Sequence, residues 1–177
     1  ITLAAERPQA RILATDLSLP ALVTARANAS RLGCSNLSFA HGNWFAAVGG
    51  ENRFDLIVSN PPYIDPQDPH LTQGDVRFEP LSALIAENQG LADIEHIVAQ
   101  AGHYLQAQGW LLVEHGYDQA AAVRALMQDR GWRAHWNRST ITAHFSEAIA
   151  DKVRAVFCRY WRTIKVPLRS ERAEEER

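Results

Sequence analysis

The stretch Phe54-Asp55-Leu56-Ile57-Val58-Ser59-Asn60-Pro61-Pro62-Tyr63 decides how this chain is read. Its first six residues form a short apolar run of strand length. Two consecutive prolines then end any sheet pairing, because each lacks an N–H and fixes φ near −65°. Asn60 precedes a proline and is driven out of the helical region into an extended conformation. The expected result is a stiff corner at the carboxyl end of a buried strand, opening with a side-chain amide. Open α/β sheets bind their ligands at such strand ends.

A planar NH2 group, whether carboxamide or base amine, is a weak nucleophile because its lone pair is delocalised. Two fixed acceptors that take its two N–H bonds leave that lone pair aimed at an electrophile. The Asn60 side-chain oxygen and the Pro61 carbonyl suit that task, and Tyr63 suits a place against the flat group. No ionisable base is needed if the proton leaves after transfer. Set against this is a plain Pro-rich turn with Tyr63 half buried, which the tetrapeptide alone does not exclude.

Ser59-Asn60-Pro61-Pro62-Tyr63-Ile64-Asp65, then Asp68-Pro69-His70-Leu71 and Gly74-Asp75-Val76-Arg77-Phe78-Glu79-Pro80-Leu81, together resemble the bacterial release factor glutamine methyltransferases, the PrmC/HemK family. The tetrapeptide is shared with adenine-amine methyltransferases of DNA and RNA, whereas the run through Glu79-Pro80 is similar to the protein-glutamine branch. The resemblance covers about residues 1–132, and it implies a Rossmann-like class I methyltransferase fold (α/β, mostly parallel sheet) that uses S-adenosylmethionine. It also implies Asn60, Pro61, Pro62 and Tyr63 as the catalytic and substrate-binding corner, with Asn60 next to the cofactor as well. The implied reaction methylates the side-chain amide of a glutamine in a peptide chain release factor. The partner is then a protein, with nucleic acid involved only indirectly through the ribosomal system. A nucleic-acid amine methyltransferase, a ribosomal-protein glutamine methyltransferase and an inactive remnant remain as alternatives.

Arg11-Ile12-Leu13-Ala14-Thr15-Asp16 reads as a strand ending in an acid. An acid there commonly accepts from both ribose hydroxyls of a cofactor; as the alternative, Asp16 caps the next helix in competition with Ser18. The resemblance favours the ribose role. Leu22–Leu32 has a helical stripe of Leu22, Val23, Ala25, Ala29 and Leu32, closed by Gly33. Leu37–Ala40 is a further strand. In similar proteins an acid and an aromatic follow it and meet the adenine. Trp44 matches the aromatic, with an ordinary core or loop anchor as its alternative, and Asn43 stands where aspartate is usual, which leaves an acceptor without charge assistance.

Ahead of these elements, residues 1–7 read as the end of a helix stopped by Pro8, and none of the ten glycines forms a G-x-G-x-x-G pattern. The expectation is an amino-terminally truncated fragment lacking the first strand and glycine-rich loop. On that expectation residues 11–15 and 54–58 do not pair, and the isolated chain binds cofactor poorly or not at all.

After the corner, Ile64–Pro80 has no periodicity and suits a lid, with Arg77 and Glu79 either holding it or simply solvated. Leu91–Gln106 is an amphipathic helix, and Trp110–Glu114 a buried strand. Glu114 and His115 at its end are read as structural. Gln119–Gln128 is the next helix. Residues 1–132 thus form a partial methyltransferase domain, and 133–177 a divergent tail. Residues 133–145 read as short, polar and irregular. A basic amphipathic helix is expected at about 146–165, with a charged, disordered end beyond it.

Composition narrows the classes. A net charge of −2 gives no electrostatic case for a whole-protein nucleic-acid binder. Cys34 and Cys158 are the only cysteines and have no CxxC spacing, which suits a reducing cytoplasm and argues against a disulfide framework. Seven histidines without HExxH spacing predict no metal site. There is no apolar run of membrane-spanning length.

Overall fold

The computed structural model describes residues 1–136 and 140–144 of the 177. Two sheets carry the described residues. The first pairs β1 (Ile12–Asp16) with β2 (Leu37–His41) in parallel, Asp16 lying opposite His41. The second has the order β3-β4-β6-β5, built from β3 (Phe54–Ser59), β4 (Leu105–Glu114), β5 (Arg133–Trp136) and β6 (Thr140–His144). β3 and β4 are parallel, and β6 is antiparallel to both β4 and β5. As expected, β1 and β3 are not paired.

Helices begin and end where local chemistry dictates. α1 (Thr2–Glu6) stops just ahead of Pro8. α2 (Leu19–Arg31) starts at Ser18, whose side chain accepts from the Ala21 N–H at 3.3 Å, and Pro20 occupies the first turn, where its missing donor costs nothing. Gly33 just past its end has φ +69°, a left-handed value that glycine adopts freely. Only Leu22 and Ala29 of the expected stripe are buried. Val23 and Leu32 are exposed. Leu22 and Ala29 are seven residues apart and share one face, whereas Val23 is turned about 100° from Leu22.

The core belongs to α4 (Ala92–Ala101), α5 (Ala120–Asp129) and the strand between them. Ile94, Ile97, Val98 and Ala101 of α4 are buried, as are Val123 and Met127 of α5. Trp110, Leu111, Leu112 and Val113 are buried in succession, so β4 is covered on both faces, as a strand inside a parallel α/β layer should be. The expected helix over Leu91–Gln106 is shorter than its pattern. It ends at Ala101, and after a 3₁₀ turn over Gly102–Tyr104 the strand begins at Leu105. Phe45, from a 3₁₀ turn after β2, joins this core and stacks on Tyr104 with ring centroids 4.6 Å apart. Through Phe45 the first sheet is anchored to the packing of the second.

The reading of 133–145 as irregular is corrected by the structure. β5 and β6 form an antiparallel hairpin, with Ala134 opposite Ala143, and β6 extends the sheet beyond β4. Trp132 ahead of the hairpin is buried and its indole N–H donates to the Val98 carbonyl at 3.3 Å. Short strands rich in polar residues (Arg133, Thr140, Thr142) carry too weak an alternation to read from sequence. The helix expected at about 146–165 and the charged end lie outside the described residues. No helix among the described residues is long and apolar enough to cross a membrane, and no group of three or more His, Cys, Asp or Glu is placed to hold a metal there.

Candidate active site

β3 ends at Ser59, opposite Val113 of β4, and the chain turns at once into Asn60-Pro61-Pro62-Tyr63. Pro61 is buried, Pro62 and Tyr63 are partly buried, and Asn60 is exposed. The prolines thus seat the corner in the protein, while the Asn60 amide is left toward solvent.

Tyr63 is held from several sides. Its backbone N–H donates to the Leu84 carbonyl at 3.2 Å, and the next N–H, of Ile64, donates to the same oxygen at 2.9 Å. Its phenol donates to Glu114 Oε1 at 3.2 Å. Its carbonyl accepts from Gln119 Nε2 at 2.9 Å. The same Nε2 donates to the Gln89 carbonyl at 2.9 Å, and Gln119 Oε1 accepts from the Gly116 N–H at 2.7 Å.

Burial is the largest influence on the Tyr63 phenol, followed by the Glu114 carboxylate charge and hydrogen bond and then Glu79, and together they push its pKa up to about 12. A phenol raised above its ordinary value of 10.0 favours the folded protein fully below pH 10, and that contribution is lost as pH climbs from 10 toward 12. An ultraviolet pH-jump titration, with Tyr63→Phe as the difference reference, should place this phenol well above its ordinary value of 10.0. Glu114→Gln should lower it without returning it to 10, because burial persists. A Tyr63 difference signal at the ordinary value would refute the pairing with Glu114.

Residues Glu87–Gly90, here α3, form the turn that Gln119 reaches. Asn88, Gln89 and Gly90 have φ of +55°, +56° and +79°. Consecutive left-handed residues other than glycine cost energy and persist only where surroundings hold them. Here Asn88 Nδ2 donates to Glu95 Oε1 at 2.6 Å, and the Gln89 carbonyl takes the Gln119 amide.

The other expected residues gather at the ends of β1 and β2. Asp16 Oδ1 accepts from the Ser18 N–H at 2.7 Å, and Ser18, not Asp16, caps α2. Oδ2 of Asp16 has no donor among the described residues. The Gly42 N–H donates to the Asp16 carbonyl at 3.1 Å, which brings the Asn43–Trp44 loop beside the acid. Asn43 is exposed and its side chain caps nothing. Trp44 holds φ +46°, uncommon for so bulky a residue, and is itself packed against the core that its buried neighbour Phe45 belongs to. An exposed acid, an exposed amide and a partly buried indole on adjacent parallel strand ends suit a ribose and a flat base. No hydrogen bond among the described residues joins this group to the Asn60 corner; the two have in common their place after the carboxyl ends of parallel strands.

Three parts of the arrangement escaped the sequence reading. Glu114 is the partner of the Tyr63 phenol, where the sequence marks it only as the acid ending a strand. Gln119 and the left-handed turn at Asn88–Gly90 carry no motif of their own; the isolated Gly90 was their single signal. His115 is buried with Nδ1 at 2.6 Å from the Gly116 carbonyl, in keeping with a structural place.

The family model "Methyltransferase small domain" matches residues 1–76. A methyltransferase structure from Pyrococcus furiosus superposes with a TM-score of 0.60 at 16% identity, over 82% of this chain and 69% of that one. The fold is therefore the Rossmann-like class I methyltransferase fold. The release factor glutamine methyltransferase of Vibrio cholerae serotype O1 is 51% identical over 133 residues, 75% of this chain and 46% of that protein. The protein of that name from Xylella fastidiosa strain Temecula1 is 55% identical over 131 residues, 74% of this chain and 47% of that protein. The chain spans about half the length of the curated relatives it matches. With half of the residues identical across three quarters of its own length, the chain is similar over that stretch to the release factor glutamine methyltransferases.

Proposed function

We propose that the protein containing this chain transfers a methyl group from S-adenosylmethionine to the side-chain amide nitrogen of a glutamine in peptide chain release factors. The observation that carries this reading is the Asn60–Tyr63 corner: a diproline turn seated in the protein, with the Asn60 amide exposed at a parallel strand end. It lies within a chain that is half identical to release factor glutamine methyltransferases over three quarters of its length.

The cofactor supplies an electrophilic methyl on a sulfonium. Asp16, whose Oδ2 has no donor among the described residues, would accept from the ribose hydroxyls; Asn43 would accept from the adenine amine and Trp44 would lie against its ring. Asn60 Oδ1 and the Pro61 carbonyl accept the two N–H bonds of the substrate amide, so its nitrogen lone pair points away from both. Tyr63, pinned through Glu114, flanks the amide with the exposed part of its ring. Transfer would break the S–CH3 bond, leaving a neutral thioether, and form the N–CH3 bond; the nitrogen is then cationic and releases its extra proton to water, so neither Glu114 nor His115 is needed as a base. The substrate glutamine stands on an exposed loop of the partner protein.

Transfer of labelled methyl by the gene product at its full encoded length, offered release factor, ribosomal protein, DNA and ribosomal RNA in parallel, tests the reading. Label in the glutamine of the release factor is expected. Label in an adenine amine, or only in a ribosomal protein, would replace the assignment.

A further inference from the structure

We propose that Gln119 is a positioning residue for the transfer corner, an inference that rests on the function just proposed. Gln119 stands immediately before α5, in the place where a side chain commonly caps its own helix, yet its side chain makes no cap. All three of its side-chain bonds go elsewhere. Oε1 accepts from the Gly116 N–H, which fixes which way the amide points. The NH2 group then faces two backbone carbonyls, those of Tyr63 and Gln89, each at 2.9 Å.

Those two carbonyls come from segments 56 and 30 residues away in sequence. The Tyr63 carbonyl has no other donor among the described residues. One primary amide has two N–H donors in a fixed fork, and here both are used to join the corner to the left-handed turn at Asn88–Gly90. Gly90 completes the fit: a Cβ there would overlap the Tyr63 carbonyl and lie 2.6 Å from Gln119 Nε2. Tyr63 is thereby oriented by its N–H through Leu84, its phenol through Glu114 and its carbonyl through Gln119. The Tyr63–Ile64 peptide, whose N–H donates to the Leu84 carbonyl and whose carbonyl takes the Gln119 amide, cannot rotate without breaking these bonds. The rings of Pro61 and Pro62 fix their φ angles, which limits how far the Asn60 and Pro61 acceptors, three and two residues upstream of Tyr63, can turn relative to that peptide.

The test uses Gln119→Glu, which replaces both donors by a carboxylate facing two carbonyls, and Gln119→Met, which removes every bond without adding charge. Both go into the gene product at its full encoded length. Three readouts are taken: kcat, KM for S-adenosylmethionine, and hydrogen exchange at the Tyr63 and Ile64 amides. A positioning role predicts that kcat falls roughly 10–100-fold, the loss typical of a misaimed reactant, while KM for the cofactor stays within about threefold. Exchange at Tyr63 and Ile64 should quicken while that of the α4 and β4 amides is unchanged.

A kcat within about threefold of the parent overturns the proposal. So does a loss in which kcat, cofactor KM and α4 exchange all deteriorate together, since that marks a general role in folding. If the parent methylates no glutamine substrate, the function reading fails on its own. The exchange arm then decides Gln119 separately: local opening in Gln119→Met supports the clamp, and unchanged exchange refutes it.

Discussion

Asn60→Ala in the gene product at its full encoded length should lower kcat for methyl transfer by roughly 10²–10³-fold, the range seen when one preorganised partner of a transition state is removed. The expectation follows from what the amide nitrogen lacks. Its lone pair is shared with the carbonyl, and it becomes available only when the nitrogen pyramidalises. An acceptor fixed opposite each N–H favours that geometry over the planar one, so its benefit appears in the transition state and not in ground-state binding. The loss should therefore fall on kcat, with a far smaller change in KM for the substrate protein. Folding should be indifferent, because Asn60 is exposed and the corner is seated through Pro61 and Tyr63. Matched thermal unfolding of parent and variant checks that point. Methyl incorporation within about threefold of the parent would remove the mechanism and leave the sequence similarity without chemical content.

The corner was legible in the sequence for a physical reason: proline imposes its conformation locally, whatever surrounds it. A strand closed by two prolines is one of the few patterns whose three-dimensional consequence needs no tertiary information. Strand β1 ending in Asp16 was legible on similar grounds, as was the apolar stripe of α4 through Ile94, Ile97, Val98 and Ala101. Gln119 was not. Its three bonds go to Tyr63, Gln89 and Gly116, and two of these are contacts between distant segments that only the fold creates. Nor does sequence reveal that Asn88 and Gln89 are left-handed, since neither residue type requires it; the energy that holds them there comes from Glu95 and Gln119. The β5–β6 hairpin was hidden differently, by strands of four and five residues too short for a periodic signal.

Gly90→Ala should be the most damaging small substitution near the corner, and the reason separates into two parts. Gly90 has φ +79°, so any side chain there incurs the cost of left-handed backbone, about 1–2 kcal/mol. It is also buried against the Tyr63 carbonyl group and the Gln119 amide, where a methyl meets backbone that cannot swing aside. Overpacking of that kind costs a further ~1–3 kcal/mol. The sum, about 2–5 kcal/mol, corresponds to a melting temperature lower by roughly 5–15 °C for a domain of this size. Gly33→Ala supplies the control, since Gly33 has φ +69° but nothing within 4 Å of the place its Cβ would take. It carries the backbone cost alone and should lower the melting temperature by no more than about 2–6 °C. The excess of the first variant over the second isolates the close approach between Gly90 and the corner. Because relief of the overlap pushes the Tyr63 carbonyl away, Gly90→Ala should also lose methyl transfer at temperatures where it remains folded, while Gly33→Ala should not. Equal melting shifts for the two glycines, or full activity in folded Gly90→Ala, would show that the turn at Asn88–Gly90 does not support the corner.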